Sequence, residues 1–257
     1  MPSRAGRRRR AGHSPRDRAA TESVIPQLPF KQVRNPYPPM AILSADQVEA
    51  IHENSLRILE ELGIELMSPR ARALFKAAGA EVDEASGTVR VDREIVEKAL
   101  GAAPSQFTLT SRAAEKQLTF GGDSLAFSLV AGPPNTHDRI NGRRAGNLAD
   151  YENFIRLAHH FNAIHILGNQ VVAPMELPAN NRHLDTYNAN LTFSDRCFHV
   201  TAIGAGRALD GIRMMALSRG ISVEEMAQSP GVTTIISVNS PRRFDEAMAE
   251  GMIAMAS

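Results

Sequence analysis

Five uncharged polar residues, Asn169, His199, Thr201, Ser237 and Asn239, fall near the carboxyl ends of apolar, β-rich runs. Such groups could hold a small polar ligand by hydrogen bonds. Alternation along a strand pairs His199 with Thr201, puts His165, Leu167 and Asn169 on one face, and pairs Ser237 with Asn239. If these faces point to a common interior, the five form its upper layer; the plainer reading is that they satisfy one another or bound water. Gly204-Ala205-Gly206 follows a β-run and opens a helix, the context of a dinucleotide loop, but Leu209 replaces the third glycine. A tight turn asks for the same glycines. His159 and His160 are neighbours on a helix and cannot face one site, and Cys197 with His199 offers only two ligands, so no metal site is expected. Asp138 with Arg143 and Arg144 could position an anionic partner or brace its own loop through a bidentate ion pair.

The runs that carry these residues are 125–130, 164–172, 198–203 and 232–238. Segments with helical spacing follow at 148–161, 181–193, 206–218 and from Arg243 onward, with a short piece capped by Ser222. Strand-then-helix units repeating roughly every 35 residues predict an α/β fold with parallel strands. The expected class is a TIM-barrel type of which only about the first four βα units are present, and the last segment ends without a capping glycine or proline. The chain therefore reads as the first half of a barrel or as a truncated one.

A small α+β extension is expected before the barrel, over 41–122. Ser44 and Gln47 stand in the relation of a capping box, opening a helix with Val48, Ile51, Ile58, Leu59 and Leu62 on its core face. Ser68-Pro69 opens a second helix that should bury Leu74 and Phe75. A hairpin over 81–91, a helix from Asp92 to Leu100 and two strands at 107–110 and 118–120 follow. Residues 1–40 form a basic, proline-rich leader expected to be disordered, with order beginning at Ser44, although Pro26, Pro29, Pro36, Pro38 and Pro39 favour an extended arm. The partial barrel is assigned 123–257.

A chain of 257 residues with 43% hydrophobic content can bury a sizeable core. It has no apolar stretch long enough for a membrane span. One cysteine, Cys197, excludes an internal disulfide and fits a reducing cytoplasm. The net charge of +1 hides an asymmetry: seven arginines against Asp17 give residues 1–18 a net +6, leaving −5 for the rest. An acidic body is not that of a nucleic-acid binder.

Several pieces together resemble the trimethylamine methyltransferase family of corrinoid-dependent methylamine and betaine demethylating enzymes. They are Leu43-Ser44-x-x-Gln47 through Ile58-Leu59-Glu60-Glu61-Leu62-Gly63, Ala78-Gly79-Ala80-Glu81-Val82-Asp83, Val89-Arg90-Val91 and Ala103-Pro104-Ser105-x-Phe107-Thr108-Leu109. Asp138-x-x-x-Gly142-Arg143-Arg144 to Asp150, Arg182-His183-Leu184-Asp185 and Val238-Asn239-Ser240-Pro241 follow in order. Arg196-Cys197 stands where members often have Lys-Pro. The resemblance implies a TIM barrel with an N-terminal extension and a chain about twice this length. It implies methyl transfer from trimethylamine or a betaine-like amine to the cobalt of a corrinoid carried by a separate cognate protein, in a homo-oligomer when full length. The corrinoid would come from that partner, because no D-x-H-x-x-G occurs here. His199 and Asn239 are the candidates for a betaine carboxylate. The alternative is a half-barrel that only binds a partner or itself.

Overall fold

The computed structural model describes residues 25–257; the arginine-rich start of the leader lies outside the described residues. Residues 25–34 run extended along the body, so the described fold begins well before Ser44. The Gln27 amide donates to His160 O (2.9 Å) and accepts from Asn162 N–H (2.8 Å). Gln32 does the same with Thr119, donating to its carbonyl (2.7 Å) and accepting from its N–H (2.9 Å). Val33–Arg34 (β1) pairs antiparallel with Ser124–Leu125.

Helix α1 (Ala45–Arg57) has the predicted capping box between Ser44 and Gln47. Its predicted core face forms only at Leu59, which packs against the core of the extension: Val48, Ile51, Ile58 and Leu62 are exposed, and Leu56 is the buried residue of the helix. Ions tether the helix instead, through Arg93 to Glu53 (3.2 Å) and Glu60 (2.9 Å). A π turn over Ile58–Leu62 ends at Gly63 (φ 69°), where a Cβ would lie 2.5 Å from Val89 O.

The three-residue strand β2 (Ile64–Leu66) follows, unforeseen because three residues show no period. Helix α2 (Pro69–Ala77), capped by Ser68, buries Ala71 and leaves Leu74 exposed, against expectation. The predicted hairpin is β3 (Glu81–Asp83) with β4 (Thr88–Arg90), and α3 (Arg93–Ala102) comes next. The antiparallel pair β5 (Phe107–Leu109) and β6 (Leu118–Phe120), followed by β7 (Ser124–Leu125), completes the extension.

The second half opens on an antiparallel hairpin, β8 (Asn135–Asp138) and β9 (Gly142–Ala145), where the sequence suggests only a loop. Then come α4 (Leu148–His160), α5 (Arg182–Phe193), β10 (Phe198–His199), α6 (Ala205–Arg219), α7 (Val223–Gln228), β11 (Val232–Thr233), β12 (Arg243–Phe244) and α8 (Glu246–Ala256). Ser128 bridges Ile166 in parallel, Leu167 bridges Phe198 in parallel, and β10 pairs β11 in parallel. The four runs thus lie side by side in chain order. Their pairing spans only one or two residues each, shorter than the runs themselves. Tyr151, Ile155, Leu167, Phe198, Val200, Met215 and Val232 form the core between these strands and the helices. On the opposite side Ile166 and Cys197 pack with Leu109 and Leu118 of the β5–β6 pair.

The fourth unit departs from expectation. The run 232–238 pairs only at β11, and Ile235 and Val238 are exposed. Phe244, expected in a helix, lies in β12, which pairs parallel with β2 in a sheet of order β12-β2-β4-β3. Burial decides this: Phe244 joins Leu66, Val89 and Ala249 in the core of the extension, and Asp245 then caps α8 by accepting from Met248 N–H (2.7 Å). Helix α8 also packs on α6, joining the two halves. Among the described residues no helix is long and apolar enough to cross a membrane.

Candidate active site

The second run leaves its strand at Gly168, where a Cβ would lie 2.3 Å from Leu129 O, and Gln170 then takes a left-handed φ of 46°. This bend breaks the expected alternation. Leu167 packs in the helix-side core with Phe198 and Val200. His165 sits at the opposite end of the run, its Nδ1 accepting from Phe127 N–H (3.0 Å) and its Nε2 3.1 Å from Lys31 O. Asn169 nevertheless swings toward the third run, where its Oδ1 accepts from Thr201 Oγ1 (2.7 Å).

Thr201 is fixed from behind. Its N–H donates to the hydroxyl of buried Tyr187 on α5 (2.6 Å), and that hydroxyl donates to Arg207 O (3.3 Å). His199 is half-buried and unhelped by any neighbouring carboxylate, so burial lowers its pKa and the ring is neutral at pH 7. Its Nδ1 is buried without a partner among the described residues. Ser237 and Asn239 are exposed, and no hydrogen bond among the described residues joins them to these three. The Asn239 backbone pairs with Arg243 instead (2.6 and 2.9 Å). The structure therefore joins Asn169 to Thr201, keeps His199 two residues before Thr201 on the same run, and shows no hydrogen bond from Ser237 or Asn239 to any of them among the described residues.

Sequence reasoning places Tyr187 near the rim as an aromatic but misses its hydrogen bond to Thr201, and it misses the strained Gln170. Tyr187 lies mid-helix with core spacing, and only the neighbouring polar Asn169-Gln170 at the end of an apolar run hints at the bend. A larger groove of about 840 Å³ opens under the arm, lined by Ile25, Leu28, Phe127 and Phe161. It lies beside His165, at the end of the strands away from Asn169, and of its polar lining Gln27, Gln32 and Asn162 are engaged in holding the arm.

Of the two arginines near Asp138, Arg144 is the brace. Its guanidinium bonds both carboxylate oxygens of Asp150 and reaches Asp138 Oδ2 (3.3 Å). Asp150 also closes a capping box with Asn147 at the start of α4. The Asn141 backbone N–H, together with its side chain, holds the Asp138 carboxyl down to about 2.

Cys197 is wholly buried, and burial pushes its thiol up to about 12. We expect no reaction with a thiol reagent at pH 8 in the native protein and full reaction after unfolding; rapid native labelling would contradict the packing. Because the folded thiol keeps its proton longer than the unfolded one, this group's contribution to stability falls as pH rises from about 9 to about 12. Among the described residues no group of three or more His, Cys, Asp or Glu side chains could hold a metal ion.

The chain matches the family model described as trimethylamine methyltransferase over residues 6–257. It is 35% identical over 219 residues to the glycine betaine methyltransferase of Desulfitobacterium hafniense (strain Y51), covering 85% of this chain and 45% of that protein. It is 24% identical over 221 residues to the trimethylamine methyltransferase MttB of Desulfitobacterium hafniense (strain DSM 10664 / DCB-2), covering 83% of this chain and 43% of that one. A third relative, the trimethylamine methyltransferase MttB of Methanosarcina barkeri (strain Fusaro / DSM 804), is 39% identical over 71 residues, 28% of this chain and 14% of its own. The chain spans less than half the length of these curated relatives. The match along nearly the whole sequence is decisive: the chain belongs to the trimethylamine methyltransferase family.

Proposed function

We propose that this chain contributes the opening part of a (βα) barrel to an enzyme that takes a methyl group from a methylated amine, trimethylamine or a betaine-like quaternary amine. The methyl group leaves nitrogen for the cobalt of a corrinoid carried by a partner protein, and the nitrogen keeps the electron pair of the broken bond. The observation that carries this reading is the hydrogen-bonded pair Asn169–Thr201, with His199 two residues before Thr201, at the carboxyl ends of parallel strands in a member of this family. Its chemistry suits a cation. These three side chains carry no fixed positive charge, and burial keeps His199 neutral, so a quaternary nitrogen meets dipoles rather than a like charge. The free Nδ1 of His199 and the Asn169 amide remain to orient the substrate.

The test is methyl transfer by the purified chain, or by the longer protein if the reading frame continues, with trimethylamine or glycine betaine and a purified, reduced corrinoid protein from the same organism. Transfer should be followed spectroscopically at the cobalt. His199→Gln and Asn169→Ala should each lower kcat/KM about a hundredfold with thermal stability little changed. Undiminished transfer in both variants would place the site elsewhere, and no transfer from either amine would overturn the reading.

A further inference from the structure

The β8–β9 hairpin carries charges that the site does not use. It follows the carboxyl end of the first run, and its base is pinned to the segment after the second: Gly132 N–H donates to Gln170 O (3.0 Å), Ala173 N–H to Pro133 O (2.9 Å) and Met175 N–H to Gly146 O (3.0 Å). It therefore stands at the same end of the strands as Asn169 and Thr201.

Its two faces differ in chemistry. The register pairs Thr136 with Arg144 and Asp138 with Gly142 on one face, and His137 with Arg143 on the other. The first face turns inward, where Thr136 is buried and Asp138 and Asp150 hold Arg144. Asp138 also accepts from Ile140 N–H (2.8 Å) and Asn141 N–H (2.7 Å), which fixes the turn. Both carboxylates are thus spent on the hairpin and its helix. The outward face and tip keep His137, Arg139 and Arg143, all exposed and without a side-chain hydrogen bond or ion pair among the described residues. Between the arginines, Ile140 is 91% exposed, the most open large apolar side chain of the described residues.

We propose that this hairpin is a docking element for a partner protein whose surface presents carboxylates around a small apolar socket. The hairpin is preorganised, so little ordering entropy opposes association. Arg139 and Arg143 supply uncommitted cations for bidentate carboxylate contacts, and Ile140 supplies the apolar anchor. Nucleic acid fits less well: its phosphates offer no socket for isoleucine, and the chain beyond residue 18 carries a net −5. That the docked protein is the methyl acceptor rests on the function proposed above; the docking chemistry does not.

The experiment measures binding of the purified corrinoid protein to the immobilised chain by interferometry. The double variant Arg139→Glu/Arg143→Glu and the single variant Ile140→Asp are compared with wild type, with circular dichroism and melting to show that each is folded. Both should weaken binding about tenfold or more, and the wild-type association rate should fall as salt rises. Methyl transfer to the partner should drop at low partner concentration, while transfer to free cobalamin stays unchanged. Wild-type affinity in both variants, or no binding by wild type, overturns the docking proposal and leaves transfer to free cobalamin standing as evidence for the function. Binding that is intact while no acceptor is methylated removes the function and keeps the docking element. A fluorescent RNA oligonucleotide bound by wild type and lost on charge reversal would overturn the proposal in favour of nucleic acid.

Discussion

Replacing Gly251 by alanine should lower the melting temperature by roughly 6–12 °C, the equivalent of about 3 kcal/mol in a chain of this size. A Cβ at Gly251 would lie 2.2 Å from Ala202 O and 2.8 Å from Ala202 C, and both are backbone atoms that cannot swing aside. Helix α8 approaches the end of the third run this closely because it also joins the core of the extension through Ala249. Relief therefore requires one half of the molecule to move against the other. Gly206, also helical, leaves open space within 4 Å of the place a methyl group would take, so Gly206→Ala should be neutral or stabilising by about 0.5–1 kcal/mol. Equal melting temperatures for the two variants would show that α8 does not press on Ala202.

Arg196→Met should cost a similar amount, about 3 kcal/mol by urea unfolding. The guanidinium is 1% exposed and donates to Ala158 O and, at 3.1 Å, to His159 O, the last carbonyls of α4. No side-chain carboxylate among the described residues bonds it. The partial negative charge of a helix C-terminus takes that place, with the Phe30 ring 5.4 Å from the guanidinium carbon. Burial accordingly pulls the arginine pKa down, opposed by the charge of Asp195. Methionine fills the volume but leaves the buried Ala158 carbonyl and the part-buried His159 carbonyl without their guanidinium donors. A change within about 0.5 kcal/mol would mean that the carbonyls find other partners and that the buried charge contributes nothing.

The helices were legible because their signals are local. Ser44 with Gln47, Ser68 with Pro69 and Ser222 act at the helix starts where their side chains say they should. The hairpin β8–β9 was not, since its strands Asn-Thr-His-Asp and Gly-Arg-Arg-Ala lack apolar alternation and are held by ions and turn hydrogen bonds. Phe244 misled for a different reason: it happens to fall in register with the apolar positions of α8, but a distant strand, β2, claims it. The stripe on α1 misled in the opposite sense, because its periodicity is real and the described fold leaves it open. At the site, alternation places Thr201 and His199 on one face of the third run. Asn169 reaches Thr201 by a bend at Gly168 and Gln170 that no period predicts.

The two ends of the parallel strands are fastened by different physics. At one end the arm is tied by the amides of Gln27 and Gln32, groups that neither titrate nor attract counterions, together with one exposed ion pair, Arg34–Asp123 at 2.9 Å. At the other, Arg144 and two carboxylates brace a hairpin whose base also holds three backbone hydrogen bonds. Ionic strength acts on the ion pairs and passes over the amides. A salty medium would therefore slacken the brace of the hairpin while the amide straps of the arm hold.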